Sequence, residues 1–288
     1  MTGHSHMAER VAVARAAHQL VDSRPLIFED PLALPIIGAT GERILRENKS
    51  TYPVEGLRRA RSSITVRSRF AEEELARAMA GGVRQYVILG AGLDTFAYRR
   101  ADLRDRLIVY EVDQPDTQRW KRERLAEAGI GVPGNLRFVP VDFNERALAD
   151  GLAEAGFNRN LPAFFSWLGV CYYLPLASIE ATLRFIAGQQ GSGSVVFDFA
   201  VTPSTVAAEH RDLLQAFLEF NRTAPERWQS WFTATEVRSL LDACGFHDIR
   251  HLDYAAVEQR YLAGRSDGLR PSPLVELVSA STVSPPIP

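Results

Sequence analysis

The residues best suited to chemistry lie between positions 90 and 142 of this 288-residue chain. Gly90-Ala-Gly92 directly follows the apolar run at 85–89, and glycines at such a point let the backbone approach a ligand closely. Asp113 comes 21 residues after Gly92, at the end of a second apolar run. An acid at about this spacing can accept hydrogen bonds from a ribose diol. The pattern predicts a nucleoside-binding site at the carboxyl ends of neighbouring strands.

The kind of nucleoside follows from the rest of the loop. Thr95 stands where the dinucleotide fingerprint has its third glycine, which disfavours a pyrophosphate cradle and an NAD-dependent oxidoreductase. A nucleoside cofactor without phosphates, such as S-adenosylmethionine, fits better. Asp142 ends a third apolar run and is expected to reach the adenine amino group. The other interpretation is that Asp113 and Asp142 only cap the helices that follow them.

Apolar runs and helix-like segments alternate along the middle of the chain. This alternation predicts βαβ units, and near-continuous apolar strands indicate a parallel sheet covered on both faces. The predicted strands are 85–89, 107–112, 136–141, 161–167 and 194–201, and the predicted helices between them are 114–129, 144–156 and 175–188.

The flanking regions differ in pattern from this core. Residues 1–80 indicate helices, with Pro31 and Pro35 implying a loop or short helices ahead of a long helix near 56–79. Residues 202–235 interrupt the alternation, after which Thr233 and Glu236 form a capping-box pattern before a helix at 236–243. Two last strands are expected at 247–254 and 274–279. The predicted domains are a helical cap at 1–80, an α/β core at 81–201 and 236–282, and an insertion at 202–235.

Composition narrows the class of protein further. The net charge is −2 and 46% of residues are hydrophobic, which is typical of a globular domain with no basic field to recruit nucleic acid. The chain lacks an apolar run long enough to cross a membrane, and its histidines and acids show no metal-ligand spacing. Cys171 and Cys244 are too few for a disulfide framework and suit the reducing cytoplasm. The oligomeric state is left open.

Four segments carry a resemblance to a known family: QYVILGAGLDTFAYR, VYEVDQPDTQRWKRERL, VPVDF and FFSWLGVCYYLP. Together they resemble the leucine carboxyl methyltransferase family, over about residues 55–280. The resemblance implies an α/β fold of the class I methyltransferase (Rossmann-like) type, with a seven-stranded, mostly parallel sheet whose last hairpin is antiparallel. It also implies an N-terminal helical cap that closes over the site, and S-adenosylmethionine as the cofactor.

The same resemblance implies roles for individual residues. The expected cofactor-binding set is Arg67, Gly90, Ala91, Gly92, Asp94, Asp113, Gln114, Asp142, Phe143 and Ser166. The cofactor carboxylate is assigned to an arginine before the first strand, with Arg67 preferred and Arg69 left as an alternative. Asp94 could instead stabilise the turn alone. Many relatives carry Glu-Gly where this chain has Leu168-Gly169.

The predicted function is S-adenosylmethionine-dependent O-methylation of a small-molecule carboxylate or phenol, such as a polyketide or another secondary metabolite. A carboxylate, with a pKa of about 4, needs no general base, whereas a phenol with a pKa of about 10 would benefit from one. The acceptor-side candidates are Tyr172, Tyr173 and His210. The alternatives are methylation of a protein C-terminal carboxylate and a nucleoside-binding protein without catalysis.

Overall fold

Three helices precede the first strand in the computed structural model, which describes residues 6–49, 52, 54–142 and 147–283. They are α1 (His6–Val21), α2 (Ala33–Glu47) and α3 (Glu55–Ala80), and α1 packs on both of the others. Helix α2 consists of two short pieces joined at Gly38, whose φ of +76° no helical residue adopts. Of the two sequence-based possibilities for this region, the structure therefore shows short helices.

Seven strands form one sheet in the order β3-β2-β1-β4-β5-β7-β6. Strands β1 to β5 run parallel, and β7 lies antiparallel between β5 and β6. The bounds are β1 Gln85–Leu89, β2 Ile108–Asp113, β3 Leu136–Pro140, β4 Ala163–Trp167, β5 Gly193–Ala200, β6 Asp248–Leu252 and β7 Val275–Ser281. Every predicted strand is present with small shifts at its ends, and the predicted seven-stranded, mostly parallel α/β architecture is confirmed.

The central strands are buried on both faces, which explains their continuous apolar runs. Every residue of β1 and of β4 is buried. Because side chains alternate along a strand, Tyr86 and Ile88 join a cluster with Phe70 of α3, while Val87 and Leu89 join the opposite cluster. The N-terminal helix α3 is thus part of one hydrophobic layer of the core.

The remaining helices cover the sheet and link its strands. They are α4 (Phe96–Arg99), α5 (Pro115–Glu127), α6 (Leu148–Glu154), α7 (Leu176–Ala187), α8 (Arg211–Thr223), α9 (Ala234–Cys244) and α10 (Tyr254–Val257), which continues into a π-helical turn at Glu258–Leu262. The predicted capping box of α9 is confirmed, because Thr233 and Glu236 each accept a hydrogen bond from the other's backbone N–H. None of the described helices combines the length and the apolar composition that a membrane span requires.

Candidate active site

The glycine loop turns sharply away from the end of β1. The N–H groups of Gly90 and Ala91 both donate to the carbonyl of Val112, at 2.9 and 3.1 Å. Gly90 has a φ of +69°, and a Cβ at this position would stand 2.5 Å from Cγ2 of Val170. Any other residue at position 90 would be strained and would collide with the turn that follows β4. The sequence therefore needs glycine here to bring the loop against β4.

Asp113 connects the end of β2 to this loop. Its Oδ2 accepts a hydrogen bond from the N–H of Gly92 at 2.6 Å, and its Oδ1 accepts one from the N–H of Gln114 at 2.7 Å. Burial raises the pKa of Asp113, and these two N–H donors oppose the rise. Helix α5 has Gln114 at its N-cap position and no side-chain cap. Asp113 thus braces the glycine loop rather than capping α5, and each oxygen keeps acceptor capacity for a ligand.

A cavity of about 800 Å³ lies at the carboxyl ends of β1, β2 and β4. Helix α1 contributes Met7, Ala8 and Val11 to its wall, and the segment after α8 contributes Pro225, Glu226, Arg227 and Gln229. Most of the predicted site residues meet here: Arg67, Gly90, Ala91, Gly92, Asp94, Asp113, Gln114, Ser166 and Tyr173. The topology therefore gathers residues more than a hundred positions apart into one concave site.

Two lining residues are also held by local hydrogen bonds. Oδ1 of Asp94 accepts a hydrogen bond from the N–H of Phe96 at 2.7 Å, which stabilises the turn into α4. The hydroxyl of Tyr86 donates to Oγ of Ser166 at 2.8 Å and fixes the orientation of that side chain. Position 168, where the family resemblance led us to look for a glutamate, is occupied by Leu168, which also lines the cavity.

Four predicted site residues lie elsewhere or cannot be placed. Asp142 follows β3 and is not among the residues that line the cavity, and Phe143 lies outside the described residues. Tyr172 is buried, with its ring 4.1 Å from that of Trp228 and its hydroxyl 3.3 Å from Nη1 of Arg67. The ring of His210 lies against Tyr254, at 5.1 Å between centroids. Neither Tyr172 nor His210 is among the described residues that line the cavity.

The geometry also separates the two candidate arginines of α3. Arg67 is buried, lines the cavity, and places Nη1 3.0 Å from Oδ2 of Asp198. Arg69 is half-exposed and pairs with Glu73 on the outer surface. Residues two apart lie on well-separated faces of a helix, so only one of the pair can reach the cavity. Burial alone would lower the pKa of Arg67, but the nearby Asp198 and Tyr172 raise it, so the guanidinium stays charged.

Arg15 of α1 is a cavity residue that the sequence analysis missed. It is 4% exposed and places Nε 2.9 Å from Oδ2 of Asp30, which also accepts a hydrogen bond from the Thr95 hydroxyl at 2.7 Å. Its guanidinium donates in addition to the carbonyl of Leu93. These contacts tie α1 to the segment that follows the glycine loop. The sequence shows Arg15 only as a single charged residue within the alanine-rich segment AVARAA, which does not indicate what the side chain contacts.

A buried ion pair lies between α5 and β2, close to Asp113. Nζ of Lys121 in α5 lies 2.7 Å from Oε2 of Glu111 in β2, and each side chain is 1% exposed. The Tyr98 hydroxyl approaches the same oxygen at 3.4 Å. Burial raises the pKa of Glu111 to about 7, although Lys121 acts in the opposite direction. The ion pair links α5 to β2 within a few residues of Asp113.

Within the described ranges, no three His, Cys, Asp or Glu side chains cluster as a metal site would require.

The strand order, the antiparallel last hairpin and the glycine loop beside Asp113 define a class I methyltransferase domain of the Rossmann-like type. Residues 8–187 match the leucine carboxyl methyltransferase family. The chain belongs to this family.

Two curated relatives and one solved structure illustrate the similarity. YktD of Bacillus subtilis, described as a candidate S-adenosyl-L-methionine-dependent methyltransferase, is 30% identical over 90% of this chain and 91% of its own. A Mycobacterium avium protein with the same description is 36% identical over 77% of this chain and 70% of its own. A crystal structure from Bordetella parapertussis, described as a possible exported protein, has a TM-score of 0.48 at 17% identity and covers 96% of each chain.

Proposed function

We propose that the protein is an S-adenosylmethionine-dependent O-methyltransferase whose acceptor is a small-molecule carboxylate. The methyl donor is S-adenosylmethionine, on which the curated relatives are described as dependent. The observation that carries the proposal is the convergence of the glycine loop, Asp113 and Arg67 on one cavity. We place the acceptor among secondary metabolites such as polyketides. The protein itself we place in the cytoplasm, since Cys171 and Cys244 are both free thiols.

The residues of the cavity fit this cofactor. Gly90, Ala91 and Gly92 line the cavity with backbone that carries no side chain larger than a methyl group, and Asp113 offers two oxygens to a ribose diol. Arg67 offers a planar guanidinium, which suits a carboxylate. S-adenosylmethionine, when bound, supplies a methyl group already activated on a sulfonium sulfur.

The chain's own task is then to position the acceptor and exclude water. Helix α1 covers the glycine loop, since a Cβ at Gly92 would lie only 3.1 Å from Cβ of Ala8, and residues 225–229 close the other side. Such positioning can lower a barrier by about 7–11 kcal/mol. Among the described residues, no histidine, lysine or cysteine lines the cavity; its acids are Asp94, which accepts from the N–H of Phe96, Asp113, which accepts from the N–H of Gly92, and Glu226. We take the acceptor to be a carboxylate, because a carboxylate is ionised at neutral pH and needs no base.

The cofactor assignment is tested first by thermal unfolding. At a concentration 100 times its dissociation constant, S-adenosylmethionine or S-adenosylhomocysteine should add about 2.7 kcal/mol to the free energy of unfolding and raise the melting temperature by several degrees. NAD, which needs a pyrophosphate cradle, is the matched control and should leave the melting temperature unchanged. A shift with NAD, or no shift with either sulfur compound, would refute the assignment.

The acceptor class is tested by the pH dependence of turnover at saturating substrates. For a carboxylate acceptor we expect a rate that stays level from about pH 6 to 9, since the nucleophile is ionised throughout. S-adenosylhomocysteine affinity measured at each pH controls for changes in the cofactor site. A rate that climbs between about pH 7 and 9 would instead indicate a phenol or an assisting base and would overturn the carboxylate proposal.

A further inference from the structure

Asp198 is a fully buried acid that the mechanism above leaves without a role. It lies on β5, is 1% exposed, and is absent from the described lining of the cavity. Its two oxygens have different partners: Oδ1 accepts a hydrogen bond from the N–H of Gly169 at 2.6 Å, and Oδ2 accepts one from Nη1 of Arg67 at 3.0 Å. The Tyr172 hydroxyl lies 3.5 Å from the same Oδ2. The carboxylate therefore bridges β5, the turn after β4, and α3.

Gly169 packs against the guanidinium of Arg67 on a different side from Asp198. Its φ is +73°, and a Cβ built there would stand 2.6 Å from Nη2 of Arg67 and 2.9 Å from Cζ. Only glycine leaves room for the guanidinium at this place. Arg67 thus forms an ion pair with Asp198 and packs closely against the backbone of Gly169.

This arrangement leaves part of the guanidinium available to a ligand. Nη1 is occupied by Asp198 and Tyr172. Within the part of the chain that the structure describes, Nε and Nη2 of Arg67 donate to no protein acceptor, and Arg67 lines the cavity. A planar guanidinium with one edge anchored can present its remaining donors in a fixed direction. Holding a long side chain in one rotamer in advance removes an entropy cost from ligand binding.

We propose that Asp198 is a positioning residue that fixes Arg67 for recognition of the carboxylate on the amino-acid end of the cofactor. Asp198 acts through the arginine and does not touch the cofactor. The inference rests on the proposed function, which puts S-adenosylmethionine in this cavity. It assigns the specificity for the amino-acid end to the set Arg67, Asp198 and Gly169, and it leaves recognition of the adenosine end to the glycine loop and Asp113.

The test compares two ligands by calorimetry. S-adenosylhomocysteine carries the amino-acid chain, and 5′-methylthioadenosine carries the same adenosine and sulfur without that chain. In Asp198→Asn, the dissociation constant of S-adenosylhomocysteine should rise about tenfold or more, as expected for loss of a charge-assisted contact, while that of 5′-methylthioadenosine stays constant. Asp267→Asn, which removes the acid of an ion pair with Arg265 outside the cavity, is the matched control and should change neither constant.

A second variant and a double variant keep the test decisive even if Asp198→Asn fails to fold. Gly169→Ala keeps every charge but intrudes on the guanidinium, so it should produce the same selective loss. Combining Asp198→Asn with Arg67→Gln should weaken S-adenosylhomocysteine binding no further than Arg67→Gln alone, because coupled residues are not additive. Equal losses for both ligands, or no loss for either, would overturn the positioning role while leaving the cofactor assignment intact. A wild-type protein that binds neither ligand would instead overturn the proposed function and this inference with it.

Discussion

Replacing Asp113 by alanine should raise the dissociation constant of S-adenosylmethionine by about tenfold to a hundredfold or slightly more, which corresponds to a loss of roughly 1.5–3 kcal/mol. Two effects combine in this variant. The ligand loses a partly buried carboxylate acceptor, and the N–H of Gly92 loses the oxygen that holds it at 2.6 Å. The loop therefore loses its bracing at the same time as the cofactor loses a contact. Calorimetric titration measures the change directly.

Two further variants separate these effects. Asp113→Asn keeps an oxygen for the N–H of Gly92 but removes the charge, so its affinity should lie between those of the wild type and the alanine variant. Asp116→Ala removes a half-exposed acid three residues away, in the first turn of α5, and should leave affinity unchanged. If Asp113→Ala bound the cofactor as tightly as the wild type, the assignment of Asp113 to the ribose would be wrong.

Replacing Glu111 by alanine should lower the free energy of unfolding by about 3–5 kcal/mol, because Lys121 would be left buried without its partner. The expected size follows from burial, since both side chains are 1% exposed and their charged atoms are 2.7 Å apart. Urea unfolding gives the loss, provided that the slope with denaturant stays constant. As a control, Glu219→Ala breaks an ion pair whose side chains are two-thirds exposed, and it should cost at most about 1 kcal/mol.

The double variant Glu111→Leu with Lys121→Met should recover most of the lost stability, because apolar residues can replace both members of a buried pair at little cost. Recovery would show that the loss in the single variant comes from an uncompensated charge. A single variant as stable as the Glu219→Ala control, or a double variant no better than the single one, would contradict this account.

The sheet and the glycine loop could be predicted because their signals are local. Apolar runs of strand length mark β1 to β5, and Thr233 with Glu236 marks the start of α9 within four residues. The link from the glycine loop to Asp113 was predictable as well, since it spans a single βαβ unit. Helix α2 was harder to predict, because Pro35 and Gly38 are ordinarily signs of a break. Here the proline lies in the first turn and the glycine provides a kink.

The walls of the cavity could not be predicted in the same way. Arg15 and Gln229 both line it, yet they lie far from the loop in sequence and on elements whose orientation depends on tertiary packing. The choice between Arg67 and Arg69 depends on which face of α3 points to the cavity, and the sequence alone does not give that orientation. Tyr172 and Tyr173 are adjacent in the sequence, but only Tyr173 reaches the cavity, because Tyr172 turns inward toward Arg67.

The turn after β4 has a consequence for how this sequence can diverge. Gly169 lies beneath the guanidinium of Arg67, and the neighbouring Val170 lies against Gly90. The dipeptide Gly169-Val170 therefore contacts both Arg67 and the glycine loop, and it sets how far apart these two parts of the cavity lie. Both glycines also have a positive φ, so a larger residue at 169 or at 90 would be strained even if its neighbour became smaller. We therefore expect both positions to stay glycine while the surrounding sequence diverges.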